Sequence, residues 1–405
     1  MSLEELWFKK SKIFRDESKL QVDYVPKVLP HRKDQLMQLG QYFKPFIVSP
    51  GSLTVKVILV GGVGTGKTAV AKSFGRKVEE FTSAREGARV RYSHVNCYIH
   101  RTFFSIMQRV ASDLGISVPR RGFSREELFR LVWNSLESRD EYLIVTIDEA
   151  HFLTNPAGSE ALYKLSRIPE YTEGKHRMGF IYVFRDISAI YMLDKSIQST
   201  LQHNIIRFEP YTSAQIEDIL WARVNEEGAL YPSAVSEEVI AMIGELVGKD
   251  RGGSGDARLA LELLYRAGKY AEGEDRDQIL PEDVRRAYSS VVPHFSLEML
   301  KELRLMEKLV LLALTRLLKR KKFVSKVPIG VLEREYEAVC EEFGVKPRRH
   351  TMVWEYVRNL STMGIVTTEK SGKGYRGRTT LVGISGVPLA ELERELVEGI
   401  RREAG

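Results

Sequence analysis

One stretch constrains this 405-residue chain more than any other. The apolar run Val55 to Val60 breaks into Gly61-Gly62-Val63-Gly64-Thr65-Gly66-Lys67-Thr68 and resumes as Ala69-Val70-Ala71. A strand that feeds a glycine-rich turn, which then opens into a helix, is the setting in which backbone N–H groups wrap a phosphate. The glycines admit the backbone close to the anion, Lys67 reaches the β and γ oxygens, and Thr68 supplies a hydroxyl ligand for Mg²⁺. The helix N-terminus adds partial positive charge. Gly62, Val63, Gly64, Thr65, Gly66, Lys67, Thr68 and Ala69 are therefore the expected cradle for the phosphates of ATP or ADP.

A second stretch completes that chemistry. Tyr142-Leu143-Ile144-Val145-Thr146-Ile147 has the unbroken apolarity of a strand buried on both faces, and it ends in Asp148-Glu149. Parallel sheets gather ligands at their strand C-termini. Beside the phosphate loop, Asp148 is expected in the Mg²⁺ shell and Glu149 on the attacking water. Asp148-Glu149-Ala150-His151 also spells the box of a helicase superfamily. Those enzymes need a second domain of the same kind, and after the strand Gly179 to Phe184 the chain turns helical instead, with no arginine-rich helicase motif.

Taken in order, Tyr24-Val25-Pro26 and Pro30-His31-Arg32 form an extended, proline-restricted segment before an amphipathic helix through Leu36 and Leu39. A helix from Lys67 to Glu79, a strand over 90–96 and a helix over 102–114 follow the loop. Ser124-x-x-Glu127 is a capping box that opens a further helix, and Arg120 and Arg121 stand at the turn before it. From Thr212 the pattern is helical, with starts near residues 212, 236, 256 and 280.

Beyond about Ser296 the order is helix, basic tract Lys319 to Lys322, helix, helix, and two strands flanking Ser371-Gly372-Lys373-Gly374-Tyr375-Arg376-Gly377-Arg378. That is the layout of a winged helix, with its third helix suited to a major groove and its basic hairpin to the backbone or minor groove. Charge agrees with it. Residues 301–405 hold 21 Lys and Arg against 14 Glu and no Asp, so the whole net charge of +7 lies at this end. Arg348, Arg349, Lys373, Tyr375, Arg376 and Arg378 are the expected contacts to double-stranded DNA.

No apolar run reaches bilayer length, and the N-terminus lacks the basic start and apolar core of a signal peptide. Cys97 and Cys340 form no CxxC pair, so neither a zinc site nor a disulfide framework is suggested, and a reducing cytoplasm is expected. The expected architecture is α/β: a tail to residue 16, a P-loop ATPase domain over 17–210, a helical lid over 211–294 and a winged-helix domain over 295–405.

In combination these motifs resemble the archaeal origin-recognition initiators, AAA+ relatives of the eukaryotic origin-recognition and helicase-loading subunits. The likeness runs from about Ile13 to the end. It is carried by Tyr24-Val25-Pro26, Pro30-His31-Arg32, Gly61 to Thr68, Val95-Asn96-Cys97, Pro119 with Gly122, Asp148-Glu149, Phe208-Glu209-Pro210-Tyr211, Gly255-Asp256-Ala257-Arg258 and the winged helix. The resemblance implies that Tyr24, Val25, Pro26, His31 and Arg32 contact adenine. It also implies that Arg258 is a lid arginine sensing the third phosphate, and that Arg120 and Arg121 lie in a DNA-touching insertion. Origin DNA, other initiator copies or paralogues, and the replicative helicase are the implied partners, with the protein on the nucleoid.

Two positions depart from the family. Arg185-Asp186 stands where a polar asparagine usually ends the fourth strand, and Ser196, beside Lys195, stands at the usual arginine-finger position. Slow, switch-like hydrolysis is expected from both. A helper ATPase of transposition or a nucleotide-switched regulator is the alternative, and it lacks the Tyr-Val-Pro segment and usually the wing.

Overall fold

The computed structural model describes residues 8–85, 87–118, 122–154, 156–170, 174–193, 195–201, 204–291, 300, 302–371, 379–384 and 386–404. The chain folds into two compact units. One comprises Val25–Tyr211 with Gly255–Ala257; the other comprises Met1–Tyr24, Thr212–Ser254 and Arg258–Gly405.

The first unit is built on β1 (Lys56–Gly61), β2 (Arg89–Asn96), β3 (Glu141–Asp148), β4 (Met178–Phe184) and β5 (Ile205–Phe208). All pair in parallel, in the order β2-β3-β4-β1-β5. Every residue of β3 and β4 is buried, because helices cover both faces. The two-residue alternation along β1 divides the core. Ile58 and Val60 pack with residues of α3 (Phe103–Asp113), α4 (Arg125–Ser138) and α5 (Pro156–Ser166), whereas Val57 and Leu59 pack with α1 (Lys33–Val48) and α2 (Lys67–Ser83). Each such side chain taken fully out of water contributes about 1.5–3 kcal/mol before entropy is counted. The capping box expected at Ser124 is present. Ser124 Oγ accepts from the Glu127 amide at 3.2 Å, and Glu127 Oε2 accepts from the Ser124 amide at 2.7 Å.

The second unit contains α6 (Ser213–Trp221), α7 (Glu237–Val247), α8 (Ala257–Gly273, from Arg258 onward) and α9 (Pro281–Val291). Residues 13–24, divided between a tail and the ATPase domain in the sequence reading, group with these helices. Ile13 and Phe14 are buried, Phe14 bridges Leu230, and its ring meets Tyr265 at 5.7 Å. Two apolar residues in a charged stretch are too few for periodicity to register.

The winged helix belongs to the same unit: α10 (Leu305–Arg320), β6 (Lys326–Pro328), α11 (Ile329–Glu342), α12 (His350–Thr362), β7 (Thr367–Lys370), β8 (Thr380–Gly383) and α13 (Leu389–Ala404). Its three antiparallel strands run in the order β6-β8-β7. Strand β6 and helix α13 are additions to the sequence reading. The lid joins this domain through Arg285 Nε, which donates to Ile384 O at 2.7 Å, and Glu282 Oε1, which accepts from the Leu389 amide at 2.8 Å. Lys326 adds ion pairs to Glu245 and Glu369. Among the described residues no helix is long and apolar enough to cross a membrane.

Candidate nucleotide and nucleic-acid sites

The phosphate loop leaves β1 under tight steric control. Gly61 pairs with Phe208 of β5, and a Cβ at Gly61 would stand 2.3 Å from the Phe208 carbonyl oxygen. Gly64 has φ +65°, and a Cβ there would meet Asp256 Oδ1 at 1.5 Å. The Ala257 amide donates to Gly64 O at 3.2 Å, so the turn over 255–257 seats directly on the loop. Thr65 Oγ1 closes the bend on Gly62 O at 2.9 Å. Val63 is half exposed at the tip, and Lys67, Thr68 and Ala69 form the first turn of α2. Lys67 is buried, with Nζ donating to Gly61 O at 2.6 Å and Gly62 O at 2.5 Å. A buried ammonium beside the first turn of a helix fits a polyphosphate.

The acidic pair meets this turn from β3. Thr68 Oγ1 donates to Asp148 Oδ2 at 2.9 Å, and the Glu149 amide donates to Asp148 Oδ1 at 2.9 Å. His94 Nε2 lies 3.0 Å from the same Oδ2, and beside an ionised carboxylate that nitrogen carries the proton. Burial works to raise the Asp148 pKa, but the His94 contact, with Thr68 and the Glu149 amide, holds it below the ordinary carboxylate value. A hydroxyl and an ionised carboxylate 2.9 Å apart are a hard oxygen pair suited to Mg²⁺. Among the described residues no cluster of three or more His, Cys, Asp or Glu gathers to hold a metal by itself. The fit is thus to an ion that takes its other ligands from phosphate and water.

Glu149 follows at φ 53°, a left-handed conformation uncommon outside glycine. Its Oε2 accepts from Arg185 Nε at 3.0 Å and stands 3.4 Å from His151 Nδ1. Ser196 and Lys195 lie in the short helix Lys195–Leu201.

The segment named as an adenine contact is divided between the units. Tyr24 groups with the helical unit, where its hydroxyl donates to Glu227 and Arg223 lies 5.0 Å over its ring. In the nucleotide unit Pro26 is buried, Val25 is half-buried, and His31 is exposed at φ 58°. Arg32 is 4% exposed. Its guanidinium donates to Thr65 O at 2.9 Å and Glu209 O at 2.7 Å, and it stacks 3.8 Å from the Tyr211 ring centroid. It ties the phosphate loop to the chain leaving β5. Arg258 belongs to the helical unit.

In the winged helix, α12 buries Val353, Tyr356, Val357 and Leu360 and leaves Thr351, Trp354, Glu355 and Arg358 exposed. Arg348 and Arg349 are exposed at its N-terminus, and the Arg348 amide donates to Tyr336 Oη at 3.3 Å. His350 pairs with Glu333. Arg120, Arg121, Lys373, Tyr375, Arg376 and Arg378 lie outside the described residues.

Sequence reasoning missed His94 and the structural use of Arg32. Parallel register sets Asn96 opposite Asp148, so His94, two residues earlier, shares that face. Strand alternation was visible, but the neighbour of β2 was not.

A phosphate loop after the first strand, an acidic pair ending the third, and the order β2-β3-β4-β1-β5 define a P-loop ATPase of the AAA+ class, here with a helical lid and a winged helix. Family matches agree along the chain: an AAA domain at 56–189, a Cdc6 AAA+ ATPase-type lid domain at 217–289, and the CDC6 C-terminal winged helix domain at 298–391. The chain belongs to the ORC1/Cdc6 family of DNA replication initiators. It is 37% identical over 388 residues to the ORC1-type DNA replication protein 2 of Sulfolobus acidocaldarius, covering 95% of this chain and 93% of the relative. The crystal structure of Cdc6p from Pyrobaculum aerophilum superposes with a TM-score of 0.83 at 35% identity, over 97% of this chain and 100% of that one. The ORC1 protein of Aeropyrum pernix, solved in complex with DNA, gives 0.61 at 29% identity, over 98% and 100%.

Proposed function

We propose that this initiator binds ATP and ADP in the Gly61–Thr68 loop and that the bound nucleotide controls its grip on duplex DNA at a replication origin. The observation that carries the reading is the Thr68–Asp148 pair, 2.9 Å apart beneath a loop of backbone amides. The same chain carries a winged helix with a solvent-facing third helix.

Mg²⁺ bound there would draw on Thr68 and Asp148, and its charge would offset that of the phosphates. Lys67 binds the phosphate oxygens. Glu149 orients the attacking water and takes its proton. Arg258 senses the third phosphate from the lid, and Val25, Pro26 and His31, with Tyr24, border the base. Arg32 acts through the loop it braces. With Arg185 and Ser196 at two positions that normally assist hydrolysis, turnover is slow, and the enzyme works as a switch.

On DNA, Arg348 and Arg349 meet phosphates and the exposed face of α12 reads bases, with Lys373, Tyr375, Arg376 and Arg378 on the backbone or minor groove. Arg120 and Arg121 add a contact from the ATPase side, and two modules on one duplex raise the effective concentration. The partners are origin DNA, further initiator copies or paralogues and, through them, the replicative helicase, in the cytoplasm on the nucleoid.

The test is ATP and ADP binding by the full chain, followed by footprinting of the loaded protein on the host's own origins and on random duplex. Protection confined to origin sequence is expected. A chain that binds neither nucleotide, or that protects random duplex equally, overturns the reading.

A further inference from the structure

Arg185 follows directly on β4, and β4 pairs with β3 in the register Ile147 to Tyr182, so the two strands deliver Glu149 and Arg185 side by side. The Arg185 Nε donates to Glu149 Oε2 at 3.0 Å. His151 Nδ1 stands 3.4 Å from that oxygen, and burial lowers the His151 pKa, keeping the imidazole neutral near pH 7. The cation paired with Glu149 is thus the arginine. A carboxylate that takes a proton from water needs a lone pair free and an orientation toward that water. The guanidinium occupies one oxygen of Glu149 and fixes its direction.

We propose that Arg185 is a positioning residue that clamps Glu149 in a resting orientation, so that hydrolysis waits on release of this ion pair. The proposal rests on Glu149 as the water-activating carboxylate. The Arg185 side chain is 51% exposed and that of Glu149 21%, so solvent screens the pair. A pair of this kind shifts a population by a factor of about two to five. The clamp is a brake on the rate, and added salt loosens it.

The experiment is single-turnover hydrolysis of Mg-ATP by the full chain, with ATP and ADP affinities measured alongside. Arg185→Ala and Arg185→Asn should each raise the rate about two- to five-fold with affinities changed by less than about two-fold, and Arg185→Lys should fall between them and the parent. Glu149→Gln should slow hydrolysis, and in that background Arg185→Ala should have no effect. A rate that falls or stays unchanged on loss of Arg185, while Glu149→Gln remains slow, overturns the clamp and leaves Glu149 in its role. A Glu149→Gln variant as fast as the parent overturns the water-activating role, and the clamp with it.

Discussion

Asp148 and the arginines around α12 show two ways of placing charge on one chain. Asp148 is 4% exposed, and Thr68, His94 and the Glu149 amide all point at it. Arg348, Arg349 and Arg358 stand in solvent, and Trp354 of α12 is 43% exposed. The difference fits the tasks proposed for the two regions. Holding a metal ion and a reacting phosphate needs groups fixed before the ligand arrives, and their desolvation is tolerable only because each is partnered. Gripping a polyanion needs many hydrated cations whose release of counterions adds up, and none of them needs a fixed position. Single changes should therefore cost much at the first region and little at the second.

Removing Lys67 is the severest test of that contrast. Lys67→Ala should weaken ATP and ADP by about two orders of magnitude in a calorimetric titration, the upper range for hydrogen bonds to charged groups. An affinity within a few-fold of the parent would mean that the loop binds by its amides alone. Next in size, His94→Ala strips a partner from a buried carboxylate. It should destabilise the chain by about 1–3 kcal/mol in denaturant unfolding, while a control at the exposed Lys44 of α1, Lys44→Ala, stays within about 0.5 kcal/mol. Equal losses in the two variants would remove the special status of the Asp148 network.

At the other region, Arg348→Ala with Arg349→Ala should weaken binding to all duplexes alike, with the slope of log K against log salt reduced by about 2. An unchanged slope would assign this end of α12 to protein contacts. The smallest effect tests the cost of half-burying a cation against a carbonyl oxygen. Lys56 opens β1 with its Nζ donating to Ser166 O, and burial lowers its pKa to about 8. Between about pH 8 and the unfolded value near 10.4 the unfolded chain binds more protons, so the parent gains stability as pH rises through that window. Lys56→Met should raise Tm at pH 7 by about 2–4 °C, with the gain shrinking toward pH 10. A gain independent of pH would point to packing instead.

The sequence by itself determined the features whose physics is local. A glycine loop between a strand and a helix, a fully apolar strand ending in Asp148-Glu149, the capping box at Ser124, and the order of helices in the winged domain all depend on neighbours within a few residues. Their spacing therefore suffices to read them. Strand β6 is three residues long and ends in Pro328, which is too short for any alternation to show.

Only the tertiary structure decided which strands lie side by side and what each buried polar group touches. His94 reaches Asp148 because β2 and β3 are parallel in a register that no spacing in the chain encodes. Arg32 looked like a base contact on an extended segment, yet its donors are engaged by carbonyls at Thr65 and Glu209, which lie 33 and 177 residues away in sequence. Arg185 could be recognised as an unusual residue at the end of a strand, but its partner could not. The pairing with Glu149 exists only once β3 and β4 are neighbours, because an ion pair is set by distance in space and sequence separation carries no information about it.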